Sequence, residues 1–227
     1  MTVATPTGDV VLDTTRQQRI GFGEAVLAGS KSVEQLITVL SQADDAGLAL
    51  LLTRLERGQF DGLPAHFRDR LDYEPTSRTA YFGSAGDLRG PARVAVVTAG
   101  TSDASVAREA ARTLAFHGFS AVEISDVGVA GLWRLQQRLD EIAALPVVIA
   151  VAGMDAALPT VLGGLVPSLV IAVPTSVGYG IAEGGKTALH ALLASCAPGL
   201  VTVNIDNGYG AACAAMRALG VERWRDA

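Results

Sequence analysis

Between residues 93 and 219, short β-branched apolar runs alternate with amphipathic segments at helical spacing. That alternation constrains the fold more than any other feature of the chain. Residues 93–98, 121–125, 147–152, 169–173 and 201–205 read as strands. Helices are expected over 104–117, 131–143, 158–165, 185–195 and 211–219, with Gly118 and Gly220 placed where a left-handed residue ends a helix. Five β-α units in succession imply an α/β fold, a parallel sheet with helices on both faces. Upstream the character changes. Residues 1–90 carry 21 charged side chains and the longer remainder only 20, so two domains are expected, 1–90 and 91–227, divided near Gly90-Pro91. In the first, 33–40 and 47–55 have helical spacing, and 61–89 reads as a linker or small subdomain with one strand at 79–82. The expectation is a small, mainly helical N-terminal region.

With 49% hydrophobic and 18% charged residues the chain has apolar material for a substantial core. Its longest apolar stretch, residues 147–154, falls well short of the roughly 20 residues needed to span a bilayer. The first fifteen residues have neither a basic n-region nor an apolar h-region, which leads to the expectation of a cytoplasmic protein with no membrane partner. A net charge of −5 argues against a nucleic-acid surface, where clustered Lys and Arg release counterions. Cys196 and Cys213 cannot form a disulfide framework, and the three histidines, His66, His117 and His190, make no metal pattern.

Open α/β sheets bind ligands beyond the carboxyl ends of their strands. The five segments there carry Gly100, Thr101, Ser102 and Asp103; Asp126, Gly128 and Gly131; Gly153, Met154 and Asp155; Pro174, Thr175, Ser176, Gly178, Tyr179 and Gly180; and Asp206 and Asn207. Their backbone N–H groups and small side chains suit a nucleotide or phosphorylated ligand. At Gly100 to Asp103, anion binding competes with simple capping of the following helix by Ser102 or Asp103. Neither a Gly-Lys-Ser/Thr loop nor a Gly-x-Gly-x-x-Gly turn is present, which removes the ATPase and dehydrogenase readings. Lys186, at a helix start, is either a phosphate countercharge or a solvated lysine. Asp155 is either a cap or a proton acceptor. Judged locally, Cys196 at a helix C-terminus reads as a buried hydrophobe, because that end of the dipole disfavours a thiolate; Cys213, among alanines, reads as core.

Taken in order, five stretches resemble the LarB family. They are Val97-Thr98-Ala99-Gly100-Thr101-Ser102-Asp103, Asp126-Val127-Gly128-Val129-Ala130-Gly131-Leu132, Val151-Ala152-Gly153-Met154, residues 171–180, and Ser195-Cys196-Ala197-Pro198-Gly199 followed by 203–210. Asp13, Arg16, Arg19-Ile20-Gly21-Phe22 and residues 31–35 extend the likeness into the first half. The second half of that family resembles the PurE carboxylases, which have a flavodoxin-like sheet and assemble as octamers. The resemblance implies a homo-oligomer, and an activity on nicotinic acid adenine dinucleotide: carboxylation at pyridinium C5 with CO2 or bicarbonate, and hydrolysis of the phosphoanhydride. The implied products are pyridinium-3,5-biscarboxylic acid mononucleotide and AMP, at the start of nickel-pincer nucleotide cofactor synthesis. It further implies Cys196 as nucleophile, reversing the local reading, with Asp155 and Asp103 as catalytic acids, Mg²⁺ at the phosphates through unidentified ligands, and no organic cofactor. The sequence departs from the family pattern at Asp155, where glutamate is usual, and at Trp133, Ala194 and residues 181–183. A PurE-type aminoimidazole ribonucleotide carboxylase or mutase, and a nucleotide-binding regulatory module without chemistry, stay open beside it.

Overall fold

A computed structural model of the chain describes residues 11–220; the rest, including most of the stretch read above for an export signal, lies outside the described residues. The chain forms two compact units, Met1–Ala85 and Gly86–Ala227.

The first unit holds helices α1 (Arg16–Ile20), α2 (Val33–Asp45), α3 (Arg57–Asp61) and α4 (Ala65–Arg68), and strands β1 (Ala25–Leu27), β2 (Leu50–Thr53), β3 (Leu71–Glu74) and β4 (Thr79–Phe82). The strands pair in the order β1-β2-β4-β3, so this region is α+β and the expectation of a mainly helical unit is corrected. The error lay at residues 47–55. There a run of leucines fits a helical stripe by spacing, yet all four residues of β2 are buried, as in a central strand covered on both faces. Local signals were sounder at α2, where Ser32 and Gln35 form a reciprocal capping box. Asp13 accepts hydrogen bonds from Arg16 and Arg19, which ties the resemblance-bearing residues of the first half to one another.

The second unit follows the alternation closely. Its strands are β5 (Val94–Thr98), β6 (Ala121–Ile124), β7 (Val147–Ala152), β8 (Leu169–Pro174) and β9 (Val201–Thr202), all parallel, in the order β6-β5-β7-β8-β9. Helices α5 (Ala104–Phe116), α6 (Leu132–Ala143), α7 (Ala157–Leu165), α8 (Lys186–Leu193) and α9 (Gly208–Gly220) connect and cover them. This is the flavodoxin-like, PurE-like arrangement, with the order reversing between β5 and β7. The period of two sorts the strand residues by face. Ala95, Val97, Val148, Ala150, Ala152, Val170 and Ala172 share one core with Leu135 and Ile142 of α6, Leu158 and Leu162 of α7, and Ala188 and Leu192 of α8. The small side chains of α9 allow close packing against α5. A Cβ on Gly208 would lie 3.0 Å from the backbone N of Ala110.

In the second unit two bounds differ from expectation by three residues, and the others by at most two. β9 is shorter than 201–205: beyond Thr202 the Ile205 N–H goes to the Asn204 side chain at 2.9 Å rather than to β8. α9 starts at Gly208, drawing Gly208, Tyr209 and Gly210 into its first turn. Among the described residues no helix is long and apolar enough to cross a membrane.

Candidate active site

All five predicted loops lie at the carboxyl edge of the second sheet, and their backbone marks that edge. Asp126, Met154, Ala156 and Asp206 have φ of +61°, +55°, +49° and +52°, a left-handed conformation costly for non-glycine residues. They follow β6, β7 and β9. Strain collected at one sheet edge is the pattern of a binding site rather than of a packing core.

Asp103 is the buried centre, only 3% exposed. It does not cap α5 as the local reading allowed. One carboxylate oxygen accepts the Gly100 N–H at 2.9 Å, and the other accepts the Thr175 hydroxyl at 2.7 Å. The Gly153 backbone N–H also favours its charged form. Burial raises the Asp103 pKa above the ordinary carboxylate value; hydrogen bonds from Thr175, Gly100 and Gly153 oppose this, and the charge of Asp206 adds to it. An acid so placed takes up a proton more readily than a solvent-exposed one.

The loops are laced together. Met154 N–H donates to the Val177 carbonyl at 2.9 Å, and Ser176 N–H donates to Asp206 at 2.8 Å. Asp206 N–H returns to the Pro174 carbonyl at 2.9 Å. Gly153, Gly178 and Gly185 leave no room for a side chain: a Cβ at Gly178 would lie 2.5 Å from the Ala182 carbonyl oxygen, and one at Gly185 2.7 Å from that of Thr175. The chain therefore joins Asp103, Thr175, Gly153, Ser176 and Asp206 into one connected network.

Apart from Cys196, whose α8–β9 connection leads into the sheet rather than out of a strand end, the remaining predicted residues lie at the same edge. Thr101, Ser102, Met154, Asp155, Tyr179, Gly180 and Lys186 are exposed, Gly128 and Asn207 are half-buried, and Pro174 ends β8 buried. Tyr179 is 78% exposed. Cys196 is exposed, which corrects the local reading of a buried hydrophobe. It sits between α8 and β9 in a turn organised by Ser195, whose hydroxyl pairs with that of Thr160 on α7 at 2.8 Å and accepts the Ala197 N–H at 3.2 Å. Cys213 is half-buried on α9.

Three contributors escaped the sequence reading. Thr98 accepts the Asp126 N–H through its hydroxyl at 3.1 Å. Arg134 pairs with Asp126. Glu109, buried on α5, accepts the Tyr209 N–H at 3.1 Å and so holds the first turn of α9 beyond Asp206 and Asn207. Glu109 lies 100 residues from its partner, so spacing carried no signal for it. The eight-residue interval from Asp126 to Arg134 offered only a weak one. Among the described residues no three His, Cys, Asp or Glu side chains gather as metal ligands, so they do not form a protein cage for Mg²⁺.

A buried acid at the switch of the β6-β5-β7-β8-β9 parallel sheet, ringed by glycine loops, defines a PurE-like α/β protein, and residues 93–225 match the family described as AIR carboxylase. Residues 5–84 match the LarB/PurE-like N-terminal domain. The chain thus belongs to the LarB family, of carboxylase type, with the two family regions in the order that family has. It is also similar to the uncharacterized protein MJ0165 of Methanocaldococcus jannaschii, with 37% identity over 210 residues, covering 88% of this chain and 80% of that protein.

Proposed function

We propose that the chain carboxylates C5 of the pyridinium ring of nicotinic acid adenine dinucleotide and hydrolyses its phosphoanhydride. The products are pyridinium-3,5-biscarboxylic acid mononucleotide and AMP, supplied to nickel-pincer nucleotide cofactor synthesis. The observation that carries the reading is an exposed thiol, Cys196, in the same unit as a buried acid at the ligand edge of the sheet.

The chemistry needs both kinds of group. A pyridinium C5 is electron-poor and does not attack CO2. Addition of the Cys196 thiolate at C4 gives a dihydropyridine in which the N1 lone pair flows through C6 to C5, making C5 a nucleophile. C5 then bonds to CO2, leaving an iminium at N1–C6. A carboxylate removes the C5 proton, and expulsion of the thiolate from C4 restores the aromatic ring. The net change is replacement of a hydrogen by a carboxylate, with release of one proton. Asp155, exposed directly after β7, and Asp103 are the acids assigned to proton transfer. Thr101, Ser102, Ser176 and the loop N–H groups are assigned to phosphate and ribose. The chain is proposed to act as a homo-oligomer, with exposed Leu165, Leu193, Val201 and Ile181 as material for contacts between copies.

The test is mass spectrometry of the purified protein with nicotinic acid adenine dinucleotide, Mg²⁺ and ¹³C-labelled bicarbonate, beside Cys196→Ala. A labelled biscarboxylate mononucleotide plus AMP, absent from the variant, is the expected result. Binding without product favours the regulatory-module reading, and turnover of aminoimidazole ribonucleotide instead favours the PurE-type reading.

A further inference from the structure

The turn that carries Asp206 has little of the sheet to hold it. β9 is only two residues long, and Asp206 adopts a left-handed backbone that a non-glycine residue keeps only where its surroundings over-determine it. On one side Asp206 is tied to the end of β8, through its N–H to the Pro174 carbonyl at 2.9 Å and its carboxylate to the Ser176 N–H at 2.8 Å. On the other side the chain enters α9, whose first turn is pressed onto α5. A Cβ on Gly208 would lie 2.3 Å from the Val106 carbonyl oxygen and 3.0 Å from Oε2 of Glu109. That same carboxylate oxygen accepts the Tyr209 N–H at 3.1 Å.

Capping alone does not account for Glu109. The start of α9 already has a cap in the Asn207 side chain, whose oxygen accepts the Gly210 N–H at 2.8 Å. A carboxylate that is 5% exposed is costly to bury, and the positive end of a 13-residue helix is one of the few places that tolerates it. Only Asn207 and Gly208 stand between Tyr209 and Asp206, so any shift of α9 along α5 passes directly into the strained turn. Asp206 in turn fixes the Ser176 N–H, and its charge bears on Asp103. We infer that Glu109 is a positioning residue of the candidate site: by seating the first turn of α9 on α5 it holds Asp206, and through it the 174–177 turn, in the geometry that binds the ligand. The inference rests on the proposed function only for the identity of that ligand.

The test compares Glu109→Asp, which keeps the charge but is one methylene short, with Glu109→Gln, which keeps an acceptor at the same reach. Amide hydrogen exchange is followed at Tyr209 and Ser176 of the full chain, beside Tm and calorimetric binding of nicotinic acid adenine dinucleotide. In Glu109→Asp, exchange is expected to quicken about tenfold at both amides and the dinucleotide to bind about fivefold more weakly, while Glu109→Gln stays within about twofold of wild type in both. Faster exchange at Tyr209 alone, with a lowered Tm and wild-type affinity, makes Glu109 a structural cap and overturns the inference. Wild-type exchange at both amides in Glu109→Asp overturns it as well. Exchange at Ser176 needs no ligand, so a wild-type protein that fails to bind the dinucleotide overturns the proposed function while the two amides still decide the role of Glu109.

Discussion

Replacing Gly153 by alanine puts one methyl group at the junction of the network. Its Cβ would lie 2.7 Å from the Thr175 hydroxyl oxygen and 3.0 Å from Val177 Cβ, and would also clash with the Val177 carbonyl. β7 and β8 are paired up to Ala152 and Pro174, so relief must come from the 175–177 turn. Moving that turn stretches the Met154–Val177 bond and pulls the Thr175 hydroxyl from Asp103. Overpacking costs about 1–3 kcal/mol, and losing a hydrogen bond to a charged group about 1.5–3 kcal/mol. The combined destabilisation is roughly 3–5 kcal/mol, or on the order of 8–15 °C in Tm for a unit of this size. Differential scanning calorimetry of Gly153→Ala measures it. Gly58→Ala is the control, since a Cβ on Gly58 meets nothing within 4 Å. A Gly153→Ala protein melting within about 2 °C of wild type, with turnover intact, would refute the idea that this glycine is required by close approach at the site.

Three further outcomes follow from particular residues. Cys196→Ala should remove turnover while leaving Tm within about 1 °C, because the thiol is exposed, whereas Cys213→Ala should cost about 1 kcal/mol and keep turnover; paired melting and activity assays read both. Burial lowers the His117 pKa from 6.5 to about 4, so between those values the unfolded chain binds a proton that the folded chain does not. Stability should therefore fall by about 3 kcal/mol as pH drops through that window, and urea titrations of His117→Gln should show a shallower slope. Ser32→Ala should cost about 1 kcal/mol through loss of the α2 capping box, measured by urea unfolding.

Much of the second unit was legible in the sequence because its determinants are local. A strand buried on both faces must be a continuous apolar run, as at β7, and the helix between two parallel strands must carry a stripe, as in α5 and α6. Glycine, hydroxyl and carboxylate residues clustered after the strand runs marked that edge as the candidate ligand edge. The first unit was less legible because β2 is also a continuous apolar run, and without flanking β-branched residues periodicity does not separate such a strand from a buried helix.

What the sequence determined by itself was the order of the elements, the edge where a ligand belongs, and the residue types that gather there. Tertiary structure alone decided which of those residues meet. Asp103 is buried and partnered by Thr175, 72 positions away, and the Glu109 carboxylate reaches Tyr209 across 100. Contacts of that kind arise when parallel strands are laid side by side in an order that spacing along one chain does not encode. Cys196 shows the same division: its neighbours in sequence suggested burial, and its exposure goes with the turn between α8 and β9, which Ser195 ties to Thr160 of α7.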